Sequence, residues 1–191
     1  MAKTDPEAIK RERRKNIRWV VTIFVMTILI SGIISLVSDE VMANSSIVVA
    51  FLILLAIIFL GILFDIVGMA VATADEKPFH SMAARKVPGD HEAIRLLRNA
   101  ERVSSICNDV VGDICGVVSG SASATIAALI LTNVDLGWPR GVSLVMSALV
   151  AGLTVGGKAI GKSIAVKSCT KIVHLVGRVI HGLNRVSQKK K

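Results

Sequence analysis

The stretch IVVAFLILLAIIFLGILFDIVGMAVATA, residues 47–74, carries one ionisable side chain, Asp65, in an otherwise unbroken apolar run. A helix needs about 20 mostly apolar residues to cross the hydrocarbon core of a bilayer. This run meets that length, and its composition leaves no polar face for water. Working outward, a second such run lies before it at 19–37. Two more follow at 104–131, rich in Gly, Ser and Ala, and at 142–165. The fold expected is all-α, a polytopic membrane protein of about four transmembrane helices. Between the second and third spans lies a polar segment, 75–102. Basic segments bound the chain at 1–18 and 166–191.

Composition agrees. Hydrophobic residues make up 52% and charged residues 19%, and the mean hydropathy is +0.64. Soluble domains are usually less apolar. The formal net charge is +9, which fits either nucleic acid or anionic lipid. The basic residues flank apolar runs, aromatics are only 4% and Tyr is absent. The stacking platforms that hold single strands are missing, so the expected partner is a bilayer with anionic headgroups and no nucleic acid. Cys107, Cys115 and Cys169 show no metal or disulfide spacing and read as small packing residues.

Loop charge sets the orientation, because Lys and Arg accumulate on the cytoplasmic side. Lys3, Lys10, Arg11, Arg13, Arg14, Lys15 and Arg18 precede the first span. The loop 38–46 holds Asp39 and Glu40 but no basic residue. Lys77, Arg85, Lys86, Arg95, Arg98 and Arg102 lie between spans two and three, and Arg140 alone between three and four. The expected location is the plasma membrane with both termini cytoplasmic. A competing reading makes the first run a secretory signal cleaved after Val41-Met42-Ala43. Asn44-Ser45-Ser46 matches a glycosylation sequon.

The segment 75–102 reads as a cytoplasmic helical hairpin, turning at Pro88-Gly89, with Asp90 as N-cap of its second helix. The alternative is a short solvated connector. His80 and His91 lie here as surface histidines. In the tail, Lys167, Lys171, His174, Arg178, His181 and Arg185 recur at helical spacing opposite Ile172, Val173, Val176, Val179, Ile180 and Leu183. This predicts an amphipathic juxtamembrane helix lying in the interface, continuing span four through a turn at 161–167. Lys167, Lys171, Arg178 and Arg185 are its headgroup contacts. The tail ends in Lys189-Lys190-Lys191.

Asp65, Asp109, Asp113 and Lys158 fall inside the expected spans. An ionisable group there faces a partner or a cavity. Counting from the cytoplasmic ends at ~1.5 Å per residue, all four lie roughly 8–14 Å deep. Asp109 and Asp113 share a helix face by their spacing, and Asn108 adds an amide at that level. Either the carboxylates offer hard oxygens to Mg²⁺ or a similar ion, or Lys158 neutralises them as an ion-pair lock. Gly112, Gly116 and Gly120, then Gly152 with Gly156 and Gly157 with Gly161, repeat the small-xxx-small spacing of close helix contact, within the chain or in a homodimer.

Spans two to four resemble the transmembrane domain of the CorB/CorC and cyclin-M (CNNM) family of magnesium transporters. The residues that carry the likeness are Phe64-Asp65-Ile66-Val67-Gly68-Met69-Ala70, Leu96-Leu97-Arg98-Asn99-Ala100-Glu101-Arg102, Asn108-Asp109-Val110-Val111-Gly112-Asp113 and Gly157-Lys158-Ala159-Ile160-Gly161-Lys162. The likeness covers 47–183 and leaves the first span, 19–37, as an addition to the three-span domain 47–165. It implies a cation path at Asp65, Asn108, Asp109 and Asp113, with magnesium or cobalt as the transported ion and no organic cofactor. It also implies a homodimer. Gly68 and Lys158 stand where the family carries Glu, so a tethered ammonium is positioned to fill the ion's space. The family's CBS pair has no room in this length, so nucleotide regulation would need a separate subunit. The alternative function is a non-transporting scaffold or accessory subunit of the same fold. An enzyme is not expected, since no nucleophile–base pair, phosphate loop or HExxH motif is present.

Overall fold

The computed structural model describes residues 6–43, 45–85, 87–133 and 138–188. The expectations for Lys3, the Asn44 sequon, Lys86 and Lys189-Lys190-Lys191 lie outside the described residues, as do the side chains of Lys10, Arg11 and Lys15. The described chain is helical, with no strand in it.

Helix α1 runs Pro6–Ala43 and α2 runs Ile47–Thr73. Ser46 caps α2, its Oγ accepting from the Val49 amide at 3.5 Å. Two short helices follow, α3 (Lys77–Ala84) and α4 (Asp90–Arg98). The third span is α5 (Ala100–Ser105), a π-helical segment (Ile106–Gly112) and α6 (Asp113–Asn133) in succession. Helix α7 is Pro139–Lys167 and α8 is Cys169–Gln188. Pro139 begins α7, where its missing N–H costs nothing.

Four helical stretches are long and apolar enough to cross a membrane: Ile17–Met42, Ile47–Thr73, Ala100–Asn133 and Pro139–Lys167. The class they support is a polytopic α-helical membrane protein. Their outward faces agree, because Phe24, Leu29, Ile33, Leu52, Phe59, Leu144 and Leu149 all stand exposed. A water-soluble monomer seldom shows so continuous an apolar surface.

The span limits differ from the sequence reading in two places. Helix α1 continues through 38–43 rather than ending at 37, so Asp39 and Glu40 belong to the helix. Asp39 is held there by Ser121 Oγ (3.2 Å to each carboxylate oxygen) and Thr125 Oγ1 (3.4 Å). At the other end the chain bends at Ser168, beyond the expected 161–167, and α7 is unbroken across Gly161.

Three cores hold the helices. Met42, Ala50, Leu54, Ile58, Ala122, Ile126, Met146 and Val150 join α1, α2, α6 and α7. Ile23 and Ile30 of α1 pack on Val110, Ile114 and Val118 of the third span. At the opposite end from Met42, Ala70, Val71, Phe79, Ala93, Ile94, Ala165 and Val173 join α2, α3, α4, α7 and α8. Phe79 is wholly buried there. The hairpin and the tail therefore share a core with the ends of the spans, and a merely solvated connector is not what forms.

Candidate functional site

Asp65 projects from α2 toward Gly112, the last residue of the π-helical segment. A β-carbon at Gly112 would stand 3.6 Å from Asp65 Oδ1 and 3.4 Å from Lys158 Nζ. The bare glycine thus opens the space in which three helices bring polar groups together. Lys158, from α7, enters it. Its Nζ lies 3.9 Å from Asp65 Oδ1 and 3.6 Å from Asp113 Oδ1, and donates to the Gly112 carbonyl at 3.3 Å. Small residues make the approach of α7 possible: β-carbons at Gly157 and Gly161 would meet Ile62 at 2.3 Å and Ile66 at 2.8 Å.

The two carboxylates differ. Asp65 is 4% exposed, whereas the Asp113 side chain is 70% exposed. Burial without partners is expensive for a carboxylate, and Asp65 Oδ2 is buried with no hydrogen-bond partner. The same holds for Asn108 Oδ1. Asn108 lies over Gly68, where a β-carbon would be 2.2 Å from that oxygen. Its Nδ2 donates to Ser104 Oγ at 3.2 Å. Residues 65 and 68 are one turn apart on α2, so Asn108 sits ~4.5 Å from the Asp65 level, toward the hairpin. A polar ladder of Ser104, Asn108, Asp65 and Lys158 results.

Asp109 does not join it. Asp109 is exposed, and its Oδ2 accepts from Ser105 Oγ at 2.8 Å, one turn back on its own span, whereas Asp113 is exposed but reaches Lys158. Asp109 lies within the π-helical segment, and Asp113 follows directly after it. Such segments are uncommon and concentrate at functional sites. Among the described residues no group of three or more His, Cys, Asp and Glu side chains is placed to hold a metal ion. The set Asp65, Asn108, Asp109 and Asp113 therefore does not form one cage in this arrangement.

The glycines divide in the same way. Gly112 and Gly161 meet neighbouring helices, while a β-carbon at Gly116, Gly120, Gly152 or Gly156 would meet nothing within 4 Å. Packing inside the chain uses the first pair and not the others. Gly152 and Gly156 instead border an apolar groove of about 730 Å³ between α2 and α7, walled by Leu55, Phe59, Ile62 and Ile160.

On the far side of the hairpin core, two groups that the sequence placed elsewhere change role. Asp90 is the first residue of α4, and the cap position is Gly89 at φ 95°. Asp90 makes no cap bond and is fully buried, its Oδ1 3.3 Å from His174 Nε2. Glu92 Oε1 lies 2.8 Å from His181 Nδ1. The expectation of His174 and His181 on an interfacial stripe is thereby corrected. Lys167, Lys171, Arg178 and Arg185 are exposed. Arg98 pairs with Glu76 at 3.1 Å, and Arg102 stacks 5.5 Å from the centre of Trp19, tying the hairpin exit to α1.

Sequence reasoning missed Gly61 and the packing role of Gly68. With Asp65 these glycines fall at i, i+4 and i+7 on one face of α2, a signal that was there to be read. Nothing in composition announces the π-helical segment. Comparison with known protein families, with curated proteins and with solved structures finds no match to this chain.

Proposed function

We propose that this chain is a membrane protein that handles a divalent cation, in the manner of the CorB/CorC-like fold its motifs resemble, and that its own Lys158 amine occupies the acidic site at rest. The observation that carries the reading is the pair of buried, unpartnered oxygens, Asp65 Oδ2 and Asn108 Oδ1, beside an ammonium that reaches Asp65 only at 3.9 Å. Buried acceptors in this state call for a ligand, and oxygen donors of this kind suit Mg²⁺. Entry of the ion requires the Lys158 side chain to leave. The ion is substrate here, with Asp113 and the Gly112 carbonyl as further oxygens released from the amine when it departs.

A second reading has its own support. Lys158 bridges two carboxylates and a carbonyl, and Asp109 is turned aside. On that reading the cluster is a structural lock in a scaffold or accessory subunit.

Lys158→Met separates the two. Removing one partner of a buried pair leaves an uncompensated charge and destabilises by about 3–5 kcal/mol. If the site accepts cations, millimolar Mg²⁺ restores thermal stability to the variant, and titration calorimetry detects binding tighter than in the wild type. Asp65→Asn then abolishes both effects. If the cluster is a lock, the variant stays destabilised at every Mg²⁺ concentration, and proteoliposomes of the wild type pass neither Mg²⁺ nor Co²⁺.

The remaining partners follow from the same reading. The open glycines Gly116, Gly120, Gly152 and Gly156 supply a surface on which a second copy would pack. The basic edge of α8, with exposed Leu175, Val179 and Leu183 beside it, suits an anionic leaflet. The loop charges support cytoplasmic termini, and the reading takes the plasma membrane as the location.

A further inference from the structure

The contact between the hairpin and the tail is backbone against backbone. A β-carbon at Gly177 would lie 2.4 Å from the Gly89 carbonyl, and one at Gly89 would lie 2.6 Å from the Arg178 amide. Gly89 takes φ 95° to make the turn, a conformation that glycine adopts freely. Docking at this point brings α4 and α8 close enough to bury Val173, Ala93 and Ile94. It also forces Asp90 out of solvent entirely, with neither of its carboxylate oxygens hydrogen-bonded. A buried carboxylate in this condition needs a counter-charge. Among the described residues the group offered is the His174 ring at 3.3 Å, together with the positive end of α4 itself.

Two turns along α8, His181 repeats the arrangement with Glu92 at 2.8 Å. Here burial alone would raise the Glu92 carboxyl, but the hydrogen bond from His181, a backbone N–H hydrogen bond and the positive fields of His181 and His91 outweigh it and hold the group below its ordinary 4.5. The other charged groups near this interface are few. Arg95 shares with Glu92 and Asn184 the edge of a cavity of about 370 Å³ between α4 and α8. Arg178 follows Gly177 on α8 and is exposed. Helix α2, which also packs on α8, holds Asp65 as its one ionisable residue, and that residue is paired with Lys158. On α7, Lys162 and Lys167 are both exposed. On α3, which packs on α4, His80 is paired with Glu76; Arg95 and His91 lie near Glu92, and His174 is the one side chain among the described residues that forms an ion pair with Asp90.

We infer that the tail helix is clamped to the hairpin by two imidazole–carboxylate pairs, Asp90–His174 and Glu92–His181, and that the clamp tightens and loosens with cytoplasmic pH. Protonated rings make two charge-assisted contacts across the interface. When the rings lose their protons, Asp90 is left as a buried anion without a cation, and the docked state loses the stabilisation. Imidazole is the side chain whose charge changes between about pH 5 and 8. The sign for Glu92 is opposite: its contribution is present above about 4.5 and disappears as pH falls through the lowered folded value. The clamp is therefore strongest in mildly acidic solution and weakens on both sides. This inference does not depend on the cation site.

Hydrogen exchange of the full chain in nanodiscs of neutral lipid tests it, with rates corrected for the intrinsic effect of pH. Amides of 90–98 and 172–184 are expected to lose about tenfold in protection between about pH 5.5 and about pH 8, while those of α2 and α6 do not. His174→Asn with His181→Gln removes that slope and leaves the segment at the wild type's alkaline level. Should the double variant fail to fold, His181→Gln alone, at the more exposed pair, reduces the slope. Asp90→Asn raises protection at alkaline pH, because no buried anion remains. A flat wild-type profile, a histidine variant with the wild-type slope, or an Asp90→Asn protein no better protected at alkaline pH overturns the clamp.

Discussion

A methyl group at position 68 would fall 2.2 Å from Asn108 Oδ1, whereas one at position 116 or 120 would touch nothing within 4 Å. The two kinds of glycine must respond differently to substitution. Gly68→Ala pushes Asn108 out of the polar ladder and is expected to destabilise by about 1–3 kcal/mol, the usual range for overpacking. Gly116→Ala and Gly120→Ala in detergent-solubilised monomer are expected to be neutral or to stabilise by up to about 1 kcal/mol, since alanine favours helix over glycine. Thermal unfolding followed by circular dichroism compares them. Equal melting temperatures for Gly68→Ala and Gly116→Ala would remove the packing role given to Gly68. Spacing in the sequence could not make this distinction. A small-xxx-small pattern says that two glycines share a face of their own helix, not what lies opposite. Lys158 and Asp65 were legible as intramembrane charges, because an ionisable residue in an apolar run needs a partner. Asp109 was not legible, because its direction depends on the π-helical register and on a local serine.

Helix α8 has three sectors rather than two. Val173, Gly177 and His181 face the hairpin, Lys171, Arg178 and Arg185 form a basic edge, and Leu175, Val179 and Leu183 remain exposed. An exposed apolar strip beside a basic edge is the arrangement of a helix lying in a leaflet. Nitroxide labels report the depth directly. A label at Leu175→Cys or Val179→Cys, on a Cys169→Ser background, is expected to collide more with oxygen than with a water-soluble nickel chelate. A label at Arg178→Cys is expected to show the reverse. Equal nickel access at all three positions would mean that this strip faces water. The sequence gives the tail's helical period clearly. It does not divide the apolar arc between protein and lipid, because both accept valine and leucine. Likewise the polar pair Asp39 and Glu40 reads as a loop until Ser121 and Thr125 are known to meet Asp39 inside the helix.

At the scale of the molecule, four apolar stretches were readable from length and composition alone, and the helices follow them closely. What could not be read was the shared core that joins hairpin, tail and spans, since it gathers residues distant in sequence, Phe79 and Val173 among them. Orientation is checked directly by labelling. In intact cells a membrane-impermeant maleimide should label Thr132→Cys and spare Arg85→Cys, and inside-out vesicles should reverse the result. The opposite pattern would invert the topology. Given the expected orientation, the interior of α2, α6 and α7 is asymmetric. Between Lys158 and the outer ends it holds Leu54, Ile58, Ala122, Ile126, Met146 and Val150, with the hydroxyls of Ser119 and Ser123 bonded to their own helix. Ser104, Asn108 and the exposed Asp113 lie on the other side of that plug or at its edge. An electric field concentrates where water does not penetrate. Most of a transmembrane voltage would then drop across the oily plug, at about 2.3 kcal/mol per unit charge for each 100 mV. On the proposed reading, a cation moving between the Lys158 level and the outer ends would do work against that field within the plug.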